Sequence, residues 1–359
     1  MDYKNIFEKV TQVSKWFTNK VWYLSIMNKI KSAEIISIIW HDRIDWDSLW
    51  SVLAMQEWIR NKFPEKTVKS YTNRKYPSVF EFLEPDINYE EWVKIDENTD
   101  LIIVMDSANY DRLWELYNNN KEIFEKSFVI NIDHHISNTK FWKINIVEPN
   151  SPATAQIIYK ILKVLDIHPS AKVNTLKKWI NDKVALYLLM WILTDTQNFI
   201  IDRADDKTLQ IASELIKLWA NKQVLIDNIF LSKSENELKL QWLILDRISS
   251  LEKDWIKTYW SYYTDKDIEK LWLNSEDLWI WRSLSSILVQ IKDADFISLW
   301  KIKEKETSIS FRSKEFDVNK LASKLWWWWH RKAAWAKLDK KILPKDIKKQ
   351  LEKIIGDKA

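Results

Sequence analysis

The feature that most constrains this chain is its glycine content, because one glycine must serve 359 residues. Tight turns, helix ends and phosphate-binding loops depend on glycine, whose average usage is about 7%. The one glycine is Gly356, near the end of the chain, whereas tryptophan occurs 24 times. Four tryptophans are consecutive in SKLWWWWHRKAAWAKL, residues 323–338. The shortage of one residue and the excess of the other indicate a common cause.

Several tryptophans stand where a glycine is expected. The pair Asp254-Trp255 precedes a strand-like run, and Asp-Gly at such a place is typical of a hairpin turn. Trp219 and Trp272 each follow the last apolar residue of a helical pattern, which is the usual position of a C-terminal glycine. Trp46 and Trp50 flank Asp-Ser in a segment that we predict to be a loop after an apolar strand.

One hypothesis accounts for these positions: UGA codons that some bacterial lineages read as glycine have been translated as tryptophan. It predicts that the literal sequence has its indoles directed outward at turns. The alternative is a protein rich in genuine tryptophan, which binds single-stranded nucleic acid by stacking bases on indoles. Codon identity separates the two, since UGG supports the second interpretation and UGA removes it.

Other properties exclude broad classes of protein. Cysteine is absent, which excludes disulfides and thiolate metal sites. The net charge of +4 is weakly basic and compatible with an anionic ligand. The longest apolar run, residues 184–193, is too short to span a bilayer, and the charged start MDYKNIFEKV lacks the apolar core of a signal peptide. We therefore expect a cytoplasmic protein.

The order of apolar runs predicts an α/β fold. The runs EIISIIW, LIIVM and SFVINI are each followed by aspartate or histidine and alternate with helical patterns, as in a parallel sheet. We predict a catalytic domain over residues 1–204, with helices in 1–33, and a helical linker over 205–240. A smaller α/β domain is expected over 241–359, in which the lysine-rich end after 337 is predicted to be only a solvated helix face.

Acidic and histidine side chains gather at the predicted strand ends. Several carboxylates in one pocket repel each other unless cations neutralise them, and mixed carboxylate and imidazole ligands suit Mn²⁺, Co²⁺, Zn²⁺ or Mg²⁺. Two such ions form a standard site for hydrolysis of phosphate esters. The alternative interpretation makes the aspartates helix N-caps. The residues concerned are His41, Asp45, Asp47, Asp106, Asp133, His134, His135 and Asp195.

Four segments resemble the motifs of the DHH phosphoesterases once tryptophan is read as glycine: HDRIDWDSLWS, MDSA, NIDHHISNTKF and WILTDTQNF. In addition, residues 311–336 resemble the signature of the DHH-associated C-terminal domain. The resemblance covers about residues 33–337, in the order that the family has. Its length and two-domain organisation are most similar to the branch of nanoRNases (oligoribonucleases) and pAp phosphatases.

The resemblance implies two divalent ions, with Mn²⁺ preferred, and a role for each motif residue. Asp106 would bridge the ions, His135 would face the phosphoryl group, and Asp133 would orient the two histidines. The remaining ligands implied are His41 and Asp45 for one ion, and Asp47, His134 and Asp195 for the other.

The C-terminal signature implies substrate-binding residues. Backbone N–H groups at Trp327, Trp328 and Trp329, read as glycines, would approach a phosphate closely. His330 would contact the nucleotide and Arg312 its phosphate.

The function implied is hydrolysis of short oligoribonucleotides, of 3′-phosphoadenosine 5′-phosphate (pAp), or of both. A RecJ-like single-strand exonuclease is the nearest alternative, but that class carries additional nucleic-acid-binding domains. A manganese pyrophosphatase shares the motifs of the first domain and lacks the glycine-rich histidine loop. No membrane partner is expected, and a homodimer is left open.

Overall fold

A computed structural model gives the fold of this chain. It describes residues 22–41, 46–73, 76, 78–89, 93–149, 151, 153–166, 180–196, 198–200, 204–274, 283–325 and 331–356. The chain divides into two compact units, with the boundary between Ile229 and Phe230; residues 77–79 group with the second unit. This boundary lies inside the segment 205–240 that the sequence predicted to be a linker.

The first unit is built on a six-stranded parallel sheet of order β3-β2-β1-β4-β5-β6. Its central strands are apolar and buried on both faces, as parallel sheets require. The predicted α/β fold with a parallel sheet is therefore confirmed. The strands are β1 (Ile35–Trp40), β2 (Thr67–Thr72), β3 (Asn88–Tyr89), β4 (Leu101–Met105), β5 (Phe128–Asp133) and β6 (Ile144–Val147).

Helices cover both faces of this sheet. Helices α2, α5 and α6 pack on one another and on β1, β4 and β5, while the opposite face is covered by a cluster that includes Leu113, Leu116 and Phe124. The helices of this unit are α1 (22–32), α2 (Trp46–Lys62), α3 (Trp114–Asn119), α4 (Lys121–Lys126), α5 (Thr154–Asp166), α6 (Asp182–Asp195), α7 (Asp206–Lys217) and α8 (Lys222–Leu225). No helix among the described residues is long and apolar enough to cross a membrane.

The strand order places the carboxyl ends of β1, β4 and β5 next to each other. The chain runs outward from β1 to β3 and then returns to the other side of β1 with β4. In open α/β sheets the crevice beyond the strand ends at such a reversal is where ligands bind. The fold thus brings the polar residues that follow these three strands to one edge.

The second unit contains a smaller, mixed sheet of order β11-β10-β9-β8-β7, in which only β8 and β9 pair in parallel. Its strands are β7 (Ser249–Lys253), β8 (Ile256–Thr264), β9 (Phe296–Ile302), β10 (Thr307–Ser313) and β11 (Ala333–Leu338). Its helices are α9 (Glu235–Asp246), α10 (Asp265–Lys270), α11 (Ser283–Val289), α12 (Asn319–Ser323) and α13 (Ile347–Ile355).

Helix α13 corrects one expectation about the lysine-rich end. Its side chains Ile347, Leu351 and Ile354 are buried in the core of the second sheet, so this segment is more than a solvated face. The three apolar residues recur at intervals of four and three, so they form one stripe along the helix. This stripe was not predicted from the sequence, because lysines surround it.

Two helix ends explain why glycine is expected at Trp219 and Trp272. After α7, the N–H of Trp219 donates to Ile216 O, and the next N–H donates to Leu215 O. After α10, Trp272 repeats the arrangement, and both residues have positive φ, 74° and 53°. This pair of hydrogen bonds is the Schellman motif, which glycine normally closes. The sequence prediction for both positions is confirmed.

The turn between β7 and β8 has the same requirement. Asp254 and Trp255 both have positive φ, 52° and 70°, and connect Lys253 to its partner Ile256. A two-residue turn with positive φ at both positions favours Asn-Gly or Asp-Gly. The indole of Trp255 is 87% exposed. The tryptophans at these three turns are all exposed, as the hypothesis of recoded glycine predicts.

Other tryptophans differ from the sequence prediction. Trp46 and Trp50 do not flank a loop; both lie in α2, whose first turn contains Asp47, and a negative charge is favourable there. Trp50 is fully buried. Replacing all 24 tryptophans would bring glycine to about 25 residues, roughly 7% of the chain, which matches average usage.

Candidate metal centre

Imidazole and carboxylate groups that follow three neighbouring strands lie close together. His41 follows β1, Asp106 follows β4, and His134 follows β5. His41 Nε2 lies 3.5 Å from Asp106 Oδ2, and His134 Nε2 lies 3.6 Å from Asp106 Oδ1. All three side chains are buried. Each oxygen of one carboxylate thus faces a different imidazole nitrogen.

The backbone at Asp106 is unusual. Its φ of 54° lies in the left-handed region, which few residues other than glycine adopt and which recurs at functional sites. Its N–H donates to Ile132 O at 2.9 Å, which ties it to the end of β5. The hydroxyl of Thr154, the first residue of α5, donates to Asp106 Oδ1 at 2.9 Å. The carboxylate is therefore held from two sides.

Asp133 serves as an acceptor for the residues that follow it. Its Oδ1 accepts hydrogen bonds from the backbone N–H groups of His134 and His135, at 2.8 and 3.2 Å. Its Oδ2 accepts one from Asn138 Nδ2 at 2.6 Å. Burial works to raise the pKa of this carboxyl, but the hydrogen bonds from His135 and Asn138 outweigh it and hold the pKa at about 2. Asp133 is thus ionised and fixed.

The two adjacent histidines have different hydrogen bonds. His134 Nδ1 lies 3.2 Å from Ser151 O, an acceptor, so Nδ1 carries the proton and the lone pair of Nε2 is directed at Asp106. Burial lowers the pKa of His134, which favours the neutral form that a metal ligand needs. His135 Nδ1 instead lies 2.7 Å from Asp133 Oδ1.

The donor set suits a divalent cation. Asp106, His134 and His135 place ligand-type atoms within 4.8 Å of one another, and oxygen and imidazole ligands together suit Mn²⁺, Fe²⁺, Co²⁺ or Zn²⁺. Because His135 Nδ1 is engaged by Asp133, the better ligands are His134, Asp106 and, on the other carboxylate oxygen, His41. This buried group could hold a metal ion.

Several predicted ligands and contacts lie outside the described residues. Asp45 is among them, as are the side chains of Asp47 and Asp195. The backbone places Asp47 in the first turn of α2 and Asp195 at the end of α6, two helices that pack against each other. The substrate-binding residues predicted in the C-terminal signature also lie outside, namely Trp327, Trp328, Trp329 and His330.

Arg312 is described, and it lies on β10 in the second unit. Its Nη1 donates to the carbonyls of Phe311 and Ala334 at 2.8 and 3.4 Å, and the side chain is half-buried. The guanidinium therefore rests on the backbone of its own sheet.

Sequence reasoning missed the residues that hold this centre in place. They are Thr154 on Asp106, Ser151 on His134, Asn138 on Asp133 and Arg112 on His135. Only Asn138 had a local signal, since it lies in the same short segment as the two histidines. The others come from separate segments, and no spacing rule connects them to the ligands.

The part of the chain that holds this centre is similar to known proteins. The family model described as "DHH family, N-terminal domain" matches residues 35–190. The probable bifunctional oligoribonuclease and PAP phosphatase NrnA of Streptococcus mutans is 31% identical over 195 residues, which cover 54% of this chain and 56% of that protein. The NrnA of Thermus thermophilus is 26% identical over 194 residues, which cover 54% and 53%. The chain thus matches somewhat more than half the length of these curated relatives.

A solved structure shows the same fold. The crystal structure of an exopolyphosphatase-related protein from Bacteroides fragilis superposes with a TM-score of 0.82, at 19% identity, and covers 93% of this chain and 95% of that one. At this identity the likeness concerns the fold alone.

Proposed function

We infer, from its membership of the DHH family through residues 35–190, that this chain is a hydrolase that cleaves phosphate esters with the help of divalent metal ions. The relatives named as oligoribonucleases and PAP phosphatases suggest short RNA and pAp as its substrates. A cytoplasmic enzyme with two ions, Mn²⁺ preferred, is part of the proposal.

The observation that carries this proposal is the position of Asp106. Its Oδ2 faces His41 and its Oδ1 faces His134, at 3.5 and 3.6 Å. A carboxylate that bridges two cations needs each oxygen directed to a different ligand set. His41 with Asp45 on one side, and His134 with Asp47 and Asp195 on the other, would complete the two sites.

The residues around the centre have defined tasks in this proposal. When bound, the ions supply Lewis acidity and an activated water for attack on phosphorus. Asp106 and His134, whose side chains are both buried, would hold them. Asp133, fixed by Asn138, keeps the imidazole of His135 directed toward the phosphoryl group.

The second unit would select nucleotides. Arg312 would pair with a substrate phosphate, and His330 and the backbone of residues 327–329 would contact the rest of the nucleotide. This division of tasks predicts a preference for short oligonucleotides over long single strands.

Hydrolysis of pAp, a dinucleotide and a long single strand tests the proposal. The assays use the chain as printed and a form with glycine at its 24 tryptophan positions. The glycine form should lose activity after chelation, recover best with Mn²⁺ and prefer the short substrates. Full activity in EDTA would contradict the metal assignment, and degradation of the long strand at a comparable rate would favour a RecJ-like exonuclease.

A further inference from the structure

Arg112 brings a guanidinium to the metal centre by a short route. It ends the 3₁₀ helix Tyr110–Arg112, six residues after Asp106. The side chain of Asn109 accepts a hydrogen bond from the N–H of Arg112 and caps this turn. Arg112 Nη1 then lies 3.1 Å from His135 Nε2 and 3.3 Å from the carbonyl oxygen of Asp106. The loop that carries the central carboxylate therefore also carries the arginine.

The chemistry of these groups fixes the direction of each hydrogen bond. A guanidinium only donates, so His135 Nε2 must accept from Arg112. The proton of a neutral His135 is then on Nδ1, which donates to Asp133 Oδ1 at 2.7 Å. His135 is thus held from both ends, by a carboxylate on one side and by a cation on the other.

The geometry points to a role for Arg112 beyond holding His135. We propose that Arg112 is a phosphate-contacting residue, which donates from Nη1 to an oxygen of the phosphoryl group that is cleaved. This inference rests on the proposed function. A phosphate oxygen placed beside the imidazole of His135, where the proposed function puts the phosphoryl group, also comes within reach of Nη1, because Nη1 lies 3.1 Å from His135 Nε2.

When a substrate binds, Arg112 is expected to exchange one of its present acceptors for a phosphate oxygen. A hydrogen bond from a guanidinium to an ionised phosphate is about twice as strong as one between neutral groups, and the guanidinium fork matches phosphate geometry. Nη1 now donates to two uncharged acceptors, His135 Nε2 and Asp106 O, and a stronger bond to the anion favours the exchange of one of them. The role proposed for Arg112 differs from that proposed for Arg312. Arg112 follows the proposed metal ligand Asp106 along the chain, whereas Arg312 lies on β10 in the second unit.

Binding of inorganic phosphate to the Mn²⁺-loaded protein tests this role without any turnover. The variants are Arg112→Ala and Arg112→Lys, with Lys121→Ala as a control that removes one exposed cation from the same unit. We expect Arg112→Ala to weaken phosphate binding about 10- to 100-fold, as loss of a hydrogen bond to a charged group does. Arg112→Lys should lose less, and Lys121→Ala should bind like the parent.

Chemical rescue distinguishes contact from a structural role. Added guanidinium ion at low, non-denaturing concentration should restore part of the hydrolysis of pAp by Arg112→Ala and leave the control unchanged. Both Arg112 variants should remain folded at the assay temperature and should still bind Mn²⁺. Unchanged phosphate affinity in Arg112→Ala, or loss of Mn²⁺ binding with no rescue, overturns the inference.

The two proposals can fail separately. If the parent protein hydrolyses no phosphate ester but Arg112→Ala still binds phosphate more weakly, the proposed function fails and the phosphate contact stands. If the parent hydrolyses pAp and Arg112→Ala does so equally well, only the inference about Arg112 fails.

Discussion

Polar side chains at the strand ends of the first sheet and on β10 of the second sheet have different hydrogen-bond partners. At the carboxyl ends of the strands of the first sheet, Asp106 and Asp133 are buried; Asp106 accepts a hydrogen bond from Thr154 and Asp133 accepts one from Asn138. On the second sheet, Arg312 is half-buried, and its Nη1 donates to backbone carbonyls of its own strand and of the neighbouring strand. The first arrangement holds both carboxylates in fixed positions, and catalytic sites need positions held to within about 0.5 Å. The second leaves a cation that can change partners, which suits binding.

This difference predicts the largest effect at Asp106. We expect Asp106→Asn to lower kcat at least about a thousandfold on pAp and on bis-p-nitrophenyl phosphate alike, because several kcal/mol of charge stabilisation depend on the metal ligand. Asparagine tolerates the left-handed backbone, so the loss reports on the carboxylate. Asp111→Asn, an exposed neighbour, is the control. Substantial turnover by Asp106→Asn would remove the two-metal assignment.

The second prediction sharpens the contrast between the two sheets. Arg312→Ala should lower kcat/KM for pAp about 10- to 100-fold, as expected for a hydrogen bond to a charged group, and change hydrolysis of bis-p-nitrophenyl phosphate little. Lys314→Ala removes an exposed cation two residues away and should leave both rates near those of the parent. Equal losses on both substrates would show that Arg312 belongs to the chemical step or to the fold.

A stability measurement concerns the turn that joins β7 and β8. Trp255→Gly should raise the free energy of unfolding by about 1 kcal/mol or more, because it relieves a bulky residue at positive φ. The matched control is Trp242→Gly, another exposed indole but inside helix α9, where glycine should cost about 0.5–1 kcal/mol. Denaturant unfolding measures both. The same sign in both variants would contradict the explanation from backbone geometry.

The last prediction is a pH dependence of stability that arises from His134, at the end of β5. Burial lowers the pKa of His134 below its ordinary value of 6.5, so the unfolded chain binds a proton that the folded chain does not. Stability of the chelated protein should be full above about pH 6.5 and decline as pH falls below it, by at most about 1.4 kcal/mol per pH unit. His134→Asn should flatten this part of the profile. An unchanged profile would mean that His134 is not held neutral.

Local patterns were sufficient for part of this structure. The apolar runs before His41, Asp106 and Asp133 predicted parallel strands, because buried strands are short and continuous. The turns at Trp219, Trp255 and Trp272 were predicted because positive φ has a strong local signature.

Other parts depend on contacts between distant segments. Thr154 reaches Asp106 across 48 residues, and Arg112 reaches His135 across 23. No periodicity in one sequence encodes such pairs. The error at Trp50 has a related origin: a loop and a helix start share the same Asp-Ser signal, and burial in the packed helices decided between them.

The hydrogen bond from Thr154 to Asp106 has a consequence for the order of assembly. Thr154 begins α5, and the start of a helix carries partial positive charge, which offsets a neighbouring carboxylate. The protein thus supplies some of the compensation that a cation would otherwise have to provide before the strands could meet. We therefore expect the chain to fold before a metal ion binds, unlike small zinc domains that fold only around their ion. An ion bound at this group could then be exchanged without unfolding of the chain.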